Sequence, residues 1–278
     1  MFKLVSPLVA GALLALPCVG AVPAQAASPV TFVSGKGTDA GTCDSPAEPC
    51  RTFQFALGQT SPGGEIKVLD PADYRAVTIA KSVSITGVEG ASIDNRAGTA
   101  ITINAGPDDT VNLSHLILDG FSTALRGVML NSGGSLTITD CIIRDFTTRG
   151  ITLQPKGTTA FEIADLIVSR TGAGIEVDPQ QAGKAHGTLT HVLMNQNGTG
   201  IVIAGPVAVL AVASTAADNN HGFDVAPGAV LRLAHSVSSG NDLGIFVVTG
   251  GTGESAGDNF IDGNARDFDG TLTKFGTQ

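Results

Sequence analysis

One pattern, a glycine followed by an apolar, a variable and an apolar residue, is written three times in Gly150-Ile151-Thr152-Leu153, Gly174-Ile175-Glu176-Val177 and Gly200-Ile201-Val202-Ile203. Outward along the chain it recurs as Gly127-Val128-Met129-Leu130, Gly222-Phe223-Asp224-Val225 and Gly244-Ile245-Phe246-Val247. The six glycines lie 23, 24, 26, 22 and 22 residues apart. Such a period indicates a repeat architecture in which each repeat is one small unit of secondary structure.

Two further short runs lie between successive glycines. The first alternates apolar and polar residues, as in Leu136-Thr137-Ile138 and Leu231-Arg232-Leu233. The second has a central column that is apolar in every repeat: Ile117, Ile142, Ile167, Leu193, Ala216 and Val237. Each repeat therefore holds three short strands, two of them with the alternation of a half-buried strand.

Three short strands cannot bury their apolar side chains alone, but stacked repeats can. Each strand then pairs with its equivalent in the next repeat, and inward columns of Val, Ile and Leu form one core. The sequence predicts an all-β solenoid of roughly eight coils, about 38 Å long at ~4.8 Å per coil. We expect each repeated glycine at a corner that requires a positive φ or a close approach of two backbones.

The predicted organisation has four parts: a signal peptide over 1–26, an N-terminal cap over 27–62, the β-helix over 63–257 and a C-terminal cap or tail over 258–278. Both ends of a rod would expose unpaired strand edges, so both need a cover. Residues 51–57 are expected to form a short capping helix over the first coil, and the tail is expected to cover the last.

The first 26 residues have the features of a secretory signal peptide. Lys3 is the positive start, residues 8–16 form an apolar run too short to span a bilayer, and Ala24-Gln25-Ala26 has the form that signal peptidase accepts. We expect cleavage after Ala26. The mature chain is then exported to the periplasm or the outside, with no transmembrane segment.

The cysteines agree with export. Cys43 and Cys50 bracket a short loop, and a disulfide between them is expected in an oxidising compartment. The alternative is a metal site, but two cysteines without a nearby histidine supply half a site at best. Cys141 lies in an apolar run and is expected to be a buried free thiol.

Composition excludes several classes of protein. With 42% hydrophobic and 15% charged residues, the chain of 278 residues is too apolar for disorder and too poor in charge for a coiled coil. Without Lys3 it carries 15 cations and 25 carboxylates, a net charge of −10. Scattered cations on an acidic chain exclude a nucleic-acid partner. The same charge opposes unaided binding of polyuronates, and few aromatic residues are present for stacking on sugars.

The repeat resembles that of the right-handed parallel β-helix of the pectin-lyase-like superfamily. The segments 33–39, 43–53 and 258–264 are similar to the starts and ends of secreted bacterial β-helix proteins in it, a branch whose members mostly have no assigned activity. The superfamily includes pectate lyases, polygalacturonases, alginate epimerases, phage tailspikes and adhesins. The resemblance implies the fold and a polysaccharide partner, but it does not imply one activity.

Catalytic motifs of those enzymes are present only in fragments. Asp108-Asp109 and Asn220-His221-Gly222 match parts of two polygalacturonase motifs, and the other two motifs are absent. The calcium-binding aspartate cluster of pectate lyases has no equivalent here. We therefore expect no cofactor and no metal site, with calcium relevant only if the protein is a lyase.

Two acids on one predicted face are weak catalytic candidates. The outward column of the last strand is Met129, Thr152, Glu176, Val202, Asp224 and Phe246. Glu176 and Asp224 are two coils apart, about 9.6 Å by the interstrand spacing, close to the roughly 6.5–9.5 Å of inverting glycosidases. The alternative is an ordinary solvated sheet face.

Arg126 and Arg149 each precede a repeated glycine and should stack on adjacent coils. As a pair they could bind a carboxylate or the hydroxyls of a sugar. The alternative is a solvated pair that Asp119 and Asp145 neutralise.

A polar column at the bend after the first strand of each repeat comprises His115, Asp140, Asp165, His191, Ser214 and His235. Histidine and aspartate on successive coils could ligate a metal. The alternative is a polar corner whose side chains bond to the backbone and to one another.

Three functions follow from these features. The first, which we favour, is a secreted non-catalytic β-helix that binds glycans or presents a surface. The second is a polysaccharide lyase or glycoside hydrolase, which requires carboxylates and cations converging in a cleft. The third is a structural or adhesion module, which requires an exposed apolar patch on one sheet. The oligomeric state does not follow from the sequence.

Overall fold

The computed structural model describes residues 27–276, which form a parallel β-helix with one seven-residue helix, α1. The predicted signal peptide lies outside the described residues. Helix α1 spans Phe53–Gln59. The strands in chain order are β1 (Ser28–Val33), β2 (Thr60–Val68), β3 (Val77–Ile79), β4 (Val83–Thr86), β5 (Ser92–Asp94), β6 (Thr99–Asn104), β7 (Thr110–Ser114), β8 (Ile117–Asp119), β9 (Arg126–Ser132), β10 (Ser135–Thr139), β11 (Ile142–Arg144), β12 (Arg149–Leu153), β13 (Thr158–Ala164), β14 (Ile167–Ser169), β15 (Ala173–Val177), β16 (Lys184–Thr190), β17 (Leu193–Asn195), β18 (Thr199–Ile203), β19 (Val207–Val212), β20 (Thr215–Ala217), β21 (His221–Val225), β22 (Val230–Ala234), β23 (Val237–Ser239), β24 (Leu243–Val247), β25 (Thr252–Ser255), β26 (Phe260–Ile261), β27 (Arg266–Asp269) and β28 (Leu272–Lys274).

Each coil contributes one strand to each of three parallel sheets. Sheet A runs β1-β2-β4-β7-β10-β13-β16-β19-β22-β25-β28, sheet B runs β5-β8-β11-β14-β17-β20-β23-β26, and sheet C runs β3-β6-β9-β12-β15-β18-β21-β24-β27. Eight coils have all three strands, and we number them 1 to 8 from β4–β6 to β25–β27. The predicted fold class, an all-β solenoid of roughly eight coils with a short helix, is confirmed.

The repeated glycines stack in file on sheet C. Arg149 pairs with Arg126 on one side and with Ala173 on the other, which places Gly150 between Gly127 and Gly174. None of the six glycines has a positive φ. A Cβ on Gly150 or Gly174 would instead lie 2.6 Å from the carbonyl oxygen of the glycine in the next coil. Close backbone approach, the second of the two expected reasons, therefore requires glycine here.

The core fills the interior of the coil. Its sheet C column, one member per coil, is Val128, Ile151, Ile175, Ile201, Phe223 and Ile245, and every side chain in it is buried. Helix α1 covers the N-terminal end, with Phe53, Ala56 and Leu57 buried against that core. The helix starts at Phe53 because Thr52 is its N-cap and accepts a hydrogen bond from the backbone N–H of Phe55.

The apolar column of sheet B differs from expectation in two ways. At coil 6 its member is Thr215, which pairs with Leu193 and Val237, and not Ala216. Its side chains also face outward, since the inward residue of each three-residue strand is the central one, such as the buried Ile143. Sheet B therefore carries an apolar stripe on its outer surface, where Ile167 is 41% exposed.

Asparagines close the bend between sheets B and C in the last four coils. They are Asn197, Asn219 and Asn241, which are buried, and Asn264, which is partly buried. The backbone N–H of Asn197 donates to the Asn219 side chain, and that of Asn219 donates to the Asn241 side chain, both at 2.9 Å. Each amide nitrogen also donates to a sheet B carbonyl, as Asn219 does to Met194. The asparagine ladder thus satisfies backbone groups that a bend would otherwise leave unpaired.

The segment expected to close the C-terminal end continues the coil instead. Strands β26, β27 and β28 pair with β23, β24 and β25 and extend all three sheets. Phe268 pairs with the inward Ile245 and is 43% exposed, because no further layer covers it within the described residues.

The cysteine predictions are confirmed. Cys43 and Cys50 form a disulfide within the loop before α1, with both residues buried, and the backbones of both cysteines hydrogen-bond to Phe32 of strand β1. Cys141 is a buried free thiol whose pKa is raised to about 11 by burial. Within residues 27–276 no helix is long and apolar enough to cross a bilayer.

Candidate functional site

The outer face of sheet C brings the predicted site residues together. Its outward column is the predicted one, since Thr152 pairs with Glu176, Glu176 with Val202, and Val202 with Asp224. A second outward column precedes the glycines: Arg126, Arg149, Ala173, Thr199, His221, Leu243 and Arg266. The two columns meet within each strand, because residues three apart are in contact in His221–Asp224, across Gly222, and in Arg266–Asp269, where Asp267 takes the place of the glycine.

Arg126 and Arg149 lie on adjacent coils, as predicted, but their partners differ from the expected ones. Arg149 pairs with Glu176 at 3.1 Å and donates to the backbone carbonyl of Thr148. Arg126 has no carboxylate within 4 Å among residues 27–276. The expected partners, Asp119 and Asp145, instead bind other arginines, so they do not neutralise this pair.

A separate charge ladder holds those aspartates at the bend between sheets B and C. Arg144 binds Asp119 at 2.8 Å, and Arg170 binds Asp145 through two hydrogen bonds of 2.7 Å. The bidentate bond to Arg170 lowers the pKa of Asp145, which favours its ionised form. This cluster lies apart from the sheet C columns and is satisfied within itself.

Glu176 and Asp224 each have a side-chain partner and do not converge. Val202 lies between them, and their strands are two coils apart, about 9.6 Å by the interstrand spacing. Glu176 is paired with Arg149. Asp224 contacts Nδ1 of His221 at 2.9 Å, and the His221 ring stands edge-on to Phe246.

The pKa of the Asp224 carboxyl is shifted upward. Burial raises the pKa of its carboxyl, and the bond from His221 opposes that shift. The residue therefore keeps its proton to a higher pH than an exposed aspartate does. A carboxyl of this kind can act as a general acid when a substrate is placed against it.

Unpaired polar atoms concentrate at one point on this face. Five buried side-chain polar atoms in the described chain lack a hydrogen-bond partner, and three of them are Nε of Arg126, Nε of Arg149 and Oγ1 of Thr152. Arg149 and Thr152 flank one glycine, and Arg126 stands on the coil before. Such a cluster is unusual in a folded protein, where buried polar groups are normally satisfied.

The polar bend column between sheets A and B contains Ala213 where Ser214 was expected. Ala213 is the residue that aligns with His235, because Val212 pairs with Ala234. Its members, His115, Asp140, Asp165, His191, Ala213 and His235, all have φ between 48° and 56°. Histidine and aspartate tolerate this left-handed conformation better than most residues.

These bend residues come together in pairs and not in larger groups. His115 is 3.8 Å from Asp140, and His191 is 3.4 Å from Asp165. Within residues 27–276 no three potential metal ligands cluster. The conformation of the bend, which favours these residue types, is therefore sufficient to explain the column.

Two sequence fragments have structural roles. Asp109 accepts hydrogen bonds from the Ser82 hydroxyl at 2.6 Å and the Gly106 N–H at 2.7 Å, and these bonds lower its pKa. It closes the turn between sheets C and A. His221 of the Asn-His-Gly fragment belongs to the sheet C face, and its pairing with Asp224 was not foreseen although the two are three residues apart across the repeated glycine.

The comparisons with known proteins bear on the fold. No protein-family model matches this sequence, and no curated protein does. The structure is similar to pectate lyase Pel9A, with a TM-score of 0.58 and 15% sequence identity over 89% of this chain and 76% of that one. The fold is that of the right-handed parallel β-helix.

Two further structures match with low scores. The A-modules of the Azotobacter vinelandii mannuronan C-5 epimerases AlgE6 and AlgE4 have TM-scores of 0.30 and 0.27, each at 12% identity. They cover 77% and 78% of this chain and are themselves covered to 90%. At such identities the similarity concerns architecture, and function must be argued from the site.

Proposed function

We propose that this is an exported protein that binds an extended polysaccharide along the outer face of sheet C without cleaving it. The observation that carries the proposal is the stack of Arg126 and Arg149 on adjacent coils of this face. Within the described residues Arg126 is in no ion pair, and the Arg149 side chain is 33% exposed. The outer edges of the two guanidiniums offer charged hydrogen-bond donors to the oxygens of a sugar.

The rest of the face fits a chain of sugars lying along the rod. Beyond the arginines it presents Glu176 on coil 4, Val202 on coil 5, the His221–Asp224 pair on coil 6 and Phe246 on coil 7. Carboxylate and imidazole groups bond to hydroxyls, and an aromatic ring packs against the apolar face of a pyranose. A pyranose unit is about as long as the step between coils, so successive sugars could meet successive coils.

Binding without cleavage is supported by the pairing of the carboxylates. Glu176 is held by Arg149, and Asp224 is held by His221, with Val202 between them. A hydrolytic pair needs one carboxyl as acid and one free carboxylate as base or nucleophile on either side of the same bond. Here Glu176 is in an ion pair with Arg149 and Asp224 is hydrogen-bonded to His221, so each carboxyl group already has a partner within the protein.

Export is supported by the signal-like sequence of residues 1–26 and by the Cys43–Cys50 disulfide. Disulfides persist in oxidising compartments outside the cytosol. The stacked glycines and the buried asparagine ladder make the rod a rigid support for the face, since both fix the spacing between coils.

Affinity electrophoresis and calorimetry against pectin, alginate and neutral glycans test the binding. We expect Arg126→Ala and Arg149→Ala each to weaken binding at least about tenfold, the effect of losing one charged hydrogen bond. Arg232→Ala is the matched control, because Arg232 lies on sheet A in an ion pair with Glu254. Failure of every glycan to bind, or an equal loss in the control, would overturn the proposal.

A second candidate function is catalysis, favoured by the raised pKa of Asp224 and its contact with His221. Asp224 would supply the proton to a leaving group and Glu176 would be the second carboxylate, about 9.6 Å away by coil spacing. Depolymerisation of the same glycans, with and without calcium, distinguishes the two functions. Product release that Asp224→Asn and Glu176→Gln both abolish would establish the enzyme in place of the binding protein.

A third function, a structural or adhesion module, is favoured by the outward apolar stripe on sheet B. That stripe lies on a different face from the sheet C columns, so the two functions are compatible.

A further inference from the structure

The apolar stripe runs along seven coils of the outer surface of sheet B. Its members, from coil 2 to coil 8, are Ile117, Ile142, Ile167, Leu193, Thr215, Val237 and Phe260. Ile167 is 41% exposed and Phe260 is 57% exposed. The other five members are partly buried, and one of them, Thr215, is polar. Six steps of ~4.8 Å make the stripe about 29 Å long. An exposed apolar stripe of this kind indicates an interaction site.

The two ends of the stripe have complementary shapes. At the coil 8 end, the Phe260 ring projects from the surface. At the coil 2 end there is a cavity of about 250 Å³, lined mainly by apolar atoms of Val88, Leu116, Ile117 and Ile142. A cavity of about 150 Å³ can hold a benzene ring, so this one can accept the side chain of a phenylalanine.

We propose that two copies of this chain form a dimer in which their sheet B stripes pack face to face and antiparallel. The two-fold axis passes through Leu193, the middle member of the stripe. Phe260 of each copy then enters the cavity beside Ile117 of the other. An isologous contact of this kind closes on itself and forms a discrete dimer.

The charges beside the stripe fit the same register. The bend column next to it reads His115, Asp140, Asp165, His191, Ala213, His235 and Asp258 from coil 2 to coil 8. Turned antiparallel about coil 5, it places His115 opposite Asp258 and Asp140 opposite His235. His115 and His235 thereby face carboxylates towards the two ends of the interface, where exposed side chains adjust easily. At the axis His191 faces its own copy, and Asp165 faces Ala213.

The parallel arrangement fits less well. It would face the cavity with a second cavity and Phe260 with a second Phe260, leaving both cavities empty. It would also bring Asp258 opposite Asp262, which follows Phe260 by two residues on the outer face. Size complementarity and charge therefore both favour the antiparallel arrangement.

The size of the face sets the strength of the dimer. A stripe about 29 Å long with its polar margins covers on the order of 600 Å² per copy, below the roughly 800 Å² per partner of stable complexes. We expect a dimer that dissociates at low micromolar concentration and forms fully in the hundreds of micromolar.

Sedimentation velocity over a range of concentrations tests the surface. We expect Ile167→Asp and Phe260→Ser each to raise the dimer dissociation constant at least about tenfold, with unchanged circular dichroism. Phe121→Ser is the matched control, since Phe121 is an exposed phenylalanine at 39% but lies off the stripe. A protein that stays monomeric at every concentration, or a dimer that Ile167→Asp leaves intact, would overturn the proposal.

Disulfide crosslinking tests the orientation. In the antiparallel dimer only residues at the two-fold axis face themselves, so Leu193→Cys should crosslink to itself under mild oxidation and Ile167→Cys should not. A mixture of Ile167→Cys and Thr215→Cys proteins should crosslink to each other. Self-crosslinking of Ile167→Cys would show the parallel arrangement and contradict the proposed one.

Discussion

The bend between sheets B and C is built in two different ways along the rod. In coils 5 to 8, asparagine side chains bond from coil to coil inside the bend, and the exposed aspartates there, such as Asp218 and Asp242, are in no ion pair within the described residues. In the earlier coils the Phe146 ring fills the bend from inside, close to the backbones of Gly120 and Gly127, while arginine–aspartate pairs cover it outside. The same turn can thus be closed by hydrogen bonds in the core or by aromatic packing under a surface charge ladder.

The largest effect is expected from removing the aromatic ring. Phe146→Ala leaves a cavity between two coils whose glycines cannot move inward without backbone collision, so relaxation is limited. We expect a loss of about 3–5 kcal/mol in the free energy of unfolding, measured by denaturant unfolding. A loss below that of Asn219→Ala would mean that the bend of the earlier coils depends on its surface charges instead.

Substitution in the asparagine ladder should lower the free energy of unfolding nearly as much. Asn219→Ala removes the acceptor of the Asn197 N–H and the donors to Met194 and Asn241, all buried. We expect a destabilisation of about 2–3 kcal/mol. Asn195→Ala is the matched control, because the Asn195 side-chain oxygen is buried without a partner, and it should change stability by less than about 0.5 kcal/mol.

The arginine–aspartate pairs at the surface of the earlier coils should add little to the free energy of unfolding, and only at pH values above the acid range. The folded state lowers the pKa of Asp145, so its stabilisation is present above the unfolded pKa and is lost as pH falls through the folded value. Asp145→Asn should cost at most about 1 kcal/mol at neutral pH and nothing at pH values where the carboxyl is protonated in both states. Thermal melts at both pH values measure the difference.

Asp224, beside the asparagine ladder, should show the opposite sign. Its folded pKa is raised, so the native state holds a proton that the unfolded state has released, and stability falls as pH rises through this window. Asp224→Asn should remove that fall. The difference in free energy of unfolding between variant and parent should therefore favour the variant more at neutral pH than in acid. An identical pH dependence of the two proteins would contradict the burial of this carboxylate.

Much of the architecture can be predicted from the sequence because the repeat contains glycine. The sheet C columns were predicted residue by residue, since glycine marks the position of each strand and two-residue alternation follows it. The vertical neighbours of Arg149 and Glu176 followed from that register. Their actual partners did not, because side-chain reach across the glycine cannot be read from spacing alone.

Sheet B could not be oriented in the same way. A three-residue strand has too little alternation to show which side chains face the core, and its outward column happens to be as apolar as the inward one. In coil 6 the run Ala213-Ser214-Thr215-Ala216 has side chains of similar size, which gives no register. A shift of the predicted register by one residue therefore placed Ser214 in the polar bend column instead of Ala213, and Ala216 in the apolar column instead of Thr215.

The asparagine ladder had a signal that was overlooked. Asn197, Asn219 and Asn241 each stand three residues before a repeated glycine. Spacing of this kind matters because the amide lies where the chain turns from sheet B to sheet C and can reach both coils. In the earlier coils Ala124, Thr147 and Thr171 occupy the position, so the pattern is visible only in the second half.

The stretch from coil 5 to coil 7 is periodic to the residue: glycines at 200, 222 and 244 and asparagines at 197, 219 and 241 share one interval of 22. Excising or duplicating one such unit would leave every ladder continuous and would only shorten or lengthen the rod by about 4.8 Å. Duplication of a 22-residue unit can therefore change the length of the rod only in fixed steps. The number of such units sets the distance between the Arg126–Arg149 pair and coil 8.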